Sequence, residues 1–255
     1  MPLAGATGPA TLLGSVVQHT AENLSGVTIH QLTQPGAPIV WGGSPAAFDM
    51  RSGTTPMGAI ETMMIDCAYA EVGKYLHLPT HAYLGMSDAK LVDAQCGLES
   101  GVGAVLGALT GINMISGAGM LDFLACFSPE KLVLDAEAIA MAKRLLAGIQ
   151  TPTETLATAM FADFNFKGEF LKQKITRQLF AKEQYLPSAI IDRGSVRAWQ
   201  EEGKPDAMMR ARQRVRELLG AYQTPQMPEE QMTELSQMTL RLAQQAGMDH
   251  LPSHE

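Results

Sequence analysis

The chain has 255 residues, enough for one or two domains of ordinary size or for a single α/β barrel. Its net charge of −7, from 19 basic and 26 acidic residues, argues against a nucleic-acid partner, and an apolar content of 46% excludes a disordered chain. Three widely spaced cysteines (Cys67, Cys96, Cys126) form no CxxC pair, so neither a disulfide framework nor a structural zinc site is expected. With no apolar run near the ~18 residues of a membrane span and no basic region in MPLAGATGPATLLG, the expectation is a soluble, cytoplasmic protein.

Met1–Gly8 reads as the C-terminal end of a strand. Residues 10–32 follow as a helix, with Leu13, Val17, Leu24, Val27 and Leu32 near helical spacing. Gln34–Pro38 is a break, and Pro38–Gly43 reads as a short strand ending in glycines. A second helix is predicted over 58–76, with Met64, Cys67, Ala68, Val72 and Tyr75 on its inner face. His81–Met86 reads as a strand running into a loop, 92–110 as a Gly/Ala-rich helix, and Ile112–Gly119 as another strand ending in glycines. Ser128-Pro129-Glu130 starts a helix reaching about Leu146. Further helices are predicted at about 165–183, 205–222 and 227–246.

Strand, loop and helix thus recur about four times, the pattern of parallel βα units. Without a GxGxxG fingerprint, part of a (β/α) barrel is favoured over a Rossmann sheet. The expected fold is α/β: about four βα units of a TIM-type barrel in residues 1–150, then a helical extension in 151–255. The charges agree, since residues 1–128 carry 12 charged side chains and 129–255 carry 33. The first half is therefore mostly buried or coated by other protein, and the second half is an exposed helical layer.

The ends of parallel strands single out Ala4–Thr7, Trp41–Ser44, His81–Asp88 and Ser116–Met120. Glu22 is the only charged residue among the first 48. It is either an exposed residue on the polar face with Gln18 and Ser25 or a carboxylate facing a cation. Trp41 and Tyr83 lie at adjacent strand ends and are either core or contacts for a quaternary ammonium. The six histidines show no HExxH spacing, and there is neither a Walker loop nor a GxSxG elbow, so no metal site is expected.

Five collinear stretches resemble the trimethylamine:corrinoid methyltransferase family: HTAENLSGVTIHQLTQPGAPIVWGG (19–43), FDMRSGTTPMGAIE (48–61), LPTHAYLGMSDAKLVDAQCGLE (78–99), LTGINMISGAGML (109–121) and FSPEKLVLD (127–135). TRQLF (176–180) and IDRGSVRAW (191–199) follow the family more loosely. The resemblance implies a TIM barrel with a C-terminal helical extension. Family members are roughly twice this long, so the chain resembles their C-terminal half, with Met1 an internal start or a fragment boundary.

In the founding members pyrrolysine occupies the position that is Met86 here, just before Ser87-Asp88-Ala89-Lys90. Its absence makes the chain similar to the non-pyrrolysine branch, whose glycine betaine methyltransferases act on quaternary amines. The resemblance then implies methyl transfer from a quaternary amine to cob(I)alamin on a separate corrinoid protein. The chain has no DxHxxG signature and is not expected to hold that cofactor itself. Met86 would pack beside the methyl group, Trp41 and Tyr83 would contact the cation, and Glu22 would balance charge or hold a strand-end network. His81, Gln95 or a residue outside this chain would meet a substrate carboxylate. Tertiary-amine chemistry and a catalytically silent, self-associating chain are the alternatives. The apolar interior of four βα units argues for a homo-oligomer.

Overall fold

A computed structural model of the chain describes residues 2–150, 161 and 169–248. It divides into two compact units, Met1–Arg216 and Glu217–Glu255. The first holds β1 (Leu3–Ala4), α1 (Leu12–Thr33), β2 (Ala46–Ala47), α2 (Ile60–Tyr75), β3 (His81–Tyr83), α3 (Ala94–Thr110), β4 (Met114–Ser116), β5 (Met120–Leu121), β6 (Cys126–Phe127) and α4 (Pro129–Leu146). It continues with α5 (Lys174–Glu183), α6 (Val196–Glu201) and most of α7 (Ala207–Ala221); α8 (Glu229–Gln245) lies in the second unit. The predicted boundary at 150/151 and the start of the helix predicted at 165–183 border residues outside the described set.

The architecture is α/β and dominated by helix. Its strands are two or three residues long and pair in parallel, β1 with β2 and β3 with β4. Between them Trp41 forms a single parallel bridge to Thr80, donating its N–H to the Pro79 carbonyl at 2.8 Å and accepting from His81 at 2.8 Å. Four parallel segments therefore follow one another in chain order, and among the described residues they do not close into one sheet. The predicted strand at Pro38–Gly43 is reduced to the Trp41 bridge, and regular pairing resumes at Ala46–Ala47. The prolines account for this, since Pro38 and Pro45 have no N–H to place in a ladder. Sequence reading also missed the β5–β6 hairpin, an antiparallel pair of two-residue strands.

The helices begin where local chemistry caps them. Thr11, Asp93 and Ser128 accept the N–H groups of Gly14, Cys96 and Lys131 at 3.3, 3.2 and 3.2 Å, and Pro129 sits in the first turn of α4. Pro9 lies outside α1, whose N-cap is Thr11. The buried face of α2 is Thr62, Met63, Ile65, Asp66, Tyr69, Ala70 and Gly73, about one residue away from the predicted face; Met64 and Tyr75 are exposed. Small and polar residues face inward because the helix lies close to the strands: a Cβ on Gly73 would stand 2.5 Å from Trp41 Cδ1. Likewise α1 turns Ser15, Val16 and His19 inward and leaves Leu13, Val17, Leu24 and Leu32 exposed.

Glycine sets the approach of α3. A Cβ on Gly103 would lie 1.9 Å from the Leu84 carbonyl oxygen, whereas one on Gly101 would meet nothing within 4 Å. Gly103→Ala is expected to lower unfolding free energy by several kcal/mol, in the range of severe core overpacking. Gly101→Ala should raise it by about 0.5–1 kcal/mol through helix propensity alone. Urea denaturation of the two variants checks both signs.

Two buried polar side chains lie between the helices and the strands. His19 packs 4.1 Å from the Tyr69 ring and Asp66 is 1% exposed; His19 Nε2 and both Asp66 oxygens have no hydrogen-bond partner. Burial pushes His19 down to about 4 and raises the Asp66 carboxyl well above its ordinary value. The native state thus releases the His19 proton more readily than the unfolded chain, and stability is lost as pH falls from about 6.5 towards 4. Asp66 acts in the opposite sense: the unfolded carboxyl ionises near 3.8 while the native one holds its proton, so stability is lost as pH rises above that value. Asp66→Asn should therefore gain stability relative to the parent as pH rises from 4 to 7. Thermal melts across that range check this, and a pH-independent difference would contradict it.

Candidate functional site

Ligands of parallel α/β sheets bind beyond the carboxyl ends of the strands. Here the segment after β3, Leu84–Ala89, is buried throughout. A buried loop must find partners for its backbone groups. Gly85 N–H donates to the Ser116 carbonyl at 3.3 Å and Ser87 N–H to the Met120 carbonyl at 3.1 Å. Asp88 N–H reaches Glu99 Oε2 at 2.8 Å and Ala89 N–H reaches Ser87 Oγ at 3.0 Å. The Gly85 carbonyl accepts from Lys131 Nζ and the Met86 carbonyl from Ser100 Oγ, both at 3.5 Å.

Side chains of the same loop hold their neighbours in turn. The Asp88 carboxylate accepts from the N–H groups of Met57 and Gly58 at 2.9 and 2.7 Å, tying the β2–α2 connection to this loop. Burial pushes the Asp88 carboxyl up, against the pull of those two donors and with the charge of Glu99 adding to the rise. Ser87 Oγ donates to Glu99 at 2.6 Å. Gln95, exposed on α3, touches the loop only through Glu99, donating to its Oε1 at 2.9 Å.

Met86 is 1% exposed and belongs to a cluster with Ala46 and Met57, against which Leu3, Tyr83, Met120, Phe123 and Leu124 pack. The half-buried side chains of Tyr83, Met120, Phe123 and Leu124 pack over this buried cluster. Phe123 and Leu124 are delivered by an unusual turn: Asp122, Phe123 and Leu124 have φ of 49°, 56° and 73°. Left-handed backbone at non-glycine residues costs roughly 1–2 kcal/mol each. Lys90 holds this turn, pairing with Asp122 at 2.8 Å and standing 3.8 Å from the Phe123 ring centroid.

His81 and Tyr83 share one face of β3. His81 Nε2 and Ser116 Oγ are 2.8 Å apart, and the His81 and Tyr83 rings meet edge to face at 5.0 Å. Partial burial pushes His81 below its ordinary value, which keeps the imidazole neutral at pH 7.

Met86, Tyr83 and His81 are brought together, and Gln95 joins them at one remove. Trp41 and Glu22 are not. Trp41 is 1% exposed, stacks on Tyr69 at 4.9 Å and donates its indole N–H to the Tyr69 carbonyl at 3.1 Å. It faces α2, so the expected pairing with Tyr83 on one surface is not formed. The alternation of β3 explains this, because Thr80 and Ala82 point towards the helices while His81 and Tyr83 point the other way. Glu22 is exposed on α1 and accepts from Gln18 Nε2 at 3.0 Å, outside the Met86 cluster.

Sequence reading missed Asp88, Glu99, Ser100, Lys131 and Asp135 as supports of the loop, and Phe123 as a side chain packed on the Met86 cluster. A signal was present: a half-chain with so few charges leaves each of its carboxylates in need of an explanation. Among the described residues no three His, Cys, Asp or Glu side chains converge as a metal site, and no helix is long and apolar enough to cross a membrane.

Residues 1–247 match the family model described as trimethylamine methyltransferase (MTTB). The chain is 37% identical over 227 residues to a trimethylamine methyltransferase, MttB2, of Methanosarcina mazei, covering 88% of this chain and 45% of that protein. It is 33% identical over 229 residues to a trimethylamine methyltransferase of Desulfitobacterium hafniense, covering 90% and 46%. It is 31% identical over 246 residues to a glycine betaine methyltransferase of the same species, covering 96% and 51%. The chain therefore spans about half the length of the curated relatives it matches.

The two aromatics should separate in a stability measurement. Trp41→Ala is expected to lower unfolding free energy by about 3–5 kcal/mol, as for a buried aromatic core residue. Tyr83→Leu, at a half-buried position that keeps its apolar bulk, should lose less than about 1.5 kcal/mol. Denaturant titration monitored by far-UV circular dichroism distinguishes the two.

Proposed function

Since the chain belongs to the trimethylamine methyltransferase family, we propose that it forms part of a (β/α)-barrel methyltransferase that removes a methyl group from a quaternary amine of the glycine betaine type. The observation that carries this reading is a buried methionine, Met86, packed among apolar side chains just beyond the end of β3. The family's relatives bear both trimethylamine and glycine betaine in their names, and the two kinds of substrate make different chemical demands. When a methyl carbon moves to a nucleophile, the C–N bonding pair stays on nitrogen. A quaternary ammonium leaves as a neutral tertiary amine and requires no proton. A tertiary amine leaves well only after it has been made cationic. Met86 itself is a thioether packed among aliphatic groups and aromatic rings and can neither donate a proton nor form a covalent adduct with the amine, which suits a substrate that is already charged.

The methyl acceptor in this reading is the reduced corrinoid of a separate partner protein, a second substrate rather than a group held by this chain. The work left to the chain is orientation and exclusion of water. In this reading Tyr83 offers its aromatic face to the ammonium, a contact worth up to about 2 kcal/mol when dry. His81, neutral and bonded to Ser116, stands where it can meet the polar end of a betaine. The competing reading, trimethylamine as substrate, is supported by the names of the relatives at 33–37% identity.

The protein expressed from its complete reading frame, supplied with a reduced corrinoid protein, is expected to convert glycine betaine or a related quaternary amine to its tertiary product. Tyr83→Leu should weaken capture of that amine by roughly 0.5–2 kcal/mol, read as a rise in the concentration giving half-maximal turnover. Mass spectrometry of the amine products decides the matter: demethylation of trimethylamine with betaines inert would overturn the reading.

A further inference from the structure

The most deeply buried charges lie behind the Met86 loop. Lys131, in the first turn of α4, is 0% exposed, and Asp135 one turn later is 3% exposed. They form a direct ion pair. Lys131 Nζ also donates to Ser100 Oγ at 2.9 Å and to the Gly85 carbonyl at 3.5 Å, so its three N–H donors all have acceptors. Asp135 Oδ2 accepts a second hydrogen bond, from the Gly119 N–H at 2.7 Å. Ser100 in turn reaches the Met86 carbonyl. One ion pair thus binds backbone on both sides of Met86: the loop after β3 at Gly85 and Met86, and the turn after β4 at Gly119. These two segments touch, since a Cβ on Gly117 would lie 2.9 Å from Met86 Cβ.

Stability does not account for the arrangement. Two charges removed from water gain little over apolar residues of similar size, and a cation in the first turn of a helix opposes the helix dipole. What the pair supplies, and a pair of apolar residues could not, is three directional bonds to two loops and the serine between them. We propose that Lys131 and Asp135 are a positioning pair that fixes Met86 between the β3 and β4 loops and so sets where that side chain stands toward the methyl donor. The consequence for catalysis rests on the methyl-transfer reading above, but the positioning itself does not.

The test uses the 255-residue chain labelled with 13C at the methionine methyl groups, with Met86→Leu identifying the Met86 resonance. The double variant Lys131→Met/Asp135→Leu is expected to melt within a few degrees of the parent while its Met86 methyl resonance moves or broadens more than those of methionines outside the cluster. Lys131→Met alone, which leaves a buried carboxylate unpaired, should melt far lower. Ser100→Ala, which keeps the ion pair but cuts its link to the Met86 carbonyl, should also displace the Met86 resonance with little change in melting. An unmoved Met86 resonance in either the folded double variant or Ser100→Ala would overturn the proposal. So would a double variant that fails to fold, which would make the pair a stabilising element. Because no substrate or acceptor is present, the result stands whether or not betaine turnover is found.

Discussion

Six consecutive buried residues, Leu84–Ala89, sit in a segment that is neither helix nor strand, and the surrounding structure is shaped by the need to satisfy their backbone. A buried peptide group without a partner costs of the order of 1–3 kcal/mol, so a loop of this length left unsatisfied could offset much of the stability of a domain. The short strands supply two of the partners, the Ser116 and Met120 carbonyls. Side chains from two helices and from the loop itself supply others: Glu99 and Ser100 from α3, Lys131 from α4, and Ser87. Each of these is itself held. Glu99 is shared with Ser87 and Gln95, Lys131 with Asp135, and Asp135 with Gly119. The loop, its supports and the β4 turn consequently form one network, and displacement of any member exposes several buried polar groups to unsatisfied burial.

Close approach is the second requirement, and glycine meets it. Gly103 lets α3 touch the Leu84 carbonyl, Gly117 lets the β4 turn lie on Met86, and Gly73 lets α2 lie on Trp41. Gly117 and Gly119 also have φ of 102° and 84°, which a side chain would strain. The turn Asp122–Leu124 has the same handedness without glycine, and Lys90 compensates by binding both its carboxylate and its ring. Strain is thus concentrated next to Met86, where strained backbone in other proteins tends to serve binding or catalysis.

Helices and parallel segments were legible in the sequence because turn residues and caps punctuate them: Pro and Gly at 35–38, Asp93 before α3, Ser128-Pro129 before α4. The helix faces were not. On α2 the apolar count favours Met64, Val72 and Tyr75, yet Thr62, Asp66 and Gly73 are the buried ones. Periodicity assigns burial to large apolar side chains, whereas a helix pressed on a sheet selects small ones and those with a specific partner, such as Thr62 receiving the Ala47 N–H at 3.0 Å. The place of Met86 at a strand end was legible from the resemblance and the strand–loop pattern together. The inward turn of Trp41 depends on strand register, which a two-residue strand does not reveal. The i, i+4 spacing of Lys131 and Asp135 does not by itself tell a buried pair from an exposed one, and the tertiary packing of α4 on α3 turns them inward.

The carboxylates nearest Met86 are all engaged by donors: Asp88 by the N–H groups of Met57 and Gly58, Glu99 by Ser87 and the Asp88 N–H, and Asp135 by Lys131 and Gly119. The side chains packed on Met86 are aromatic, aliphatic and thioether groups, and the Phe123 ring already carries Lys90 on one face, so a methylated ammonium would be held through the Tyr83 ring and polarisable sulfur rather than through an ion pair. That choice matters after the methyl group has left. A neutral tertiary amine retains nearly all the apolar contact of its quaternary precursor but loses its attraction to the ring faces. Contacts of this kind therefore bind the substrate more tightly than the product by about the cation–π term, 0.5–2 kcal/mol, or roughly a factor of 2 to 30 in affinity. A buried carboxylate in the same place would grip the cation harder but would be left uncompensated once the charge had gone. The product would then be retained in protonated form, so contacts made by rings and thioethers around Met86 favour release of the amine that the proposed chemistry generates.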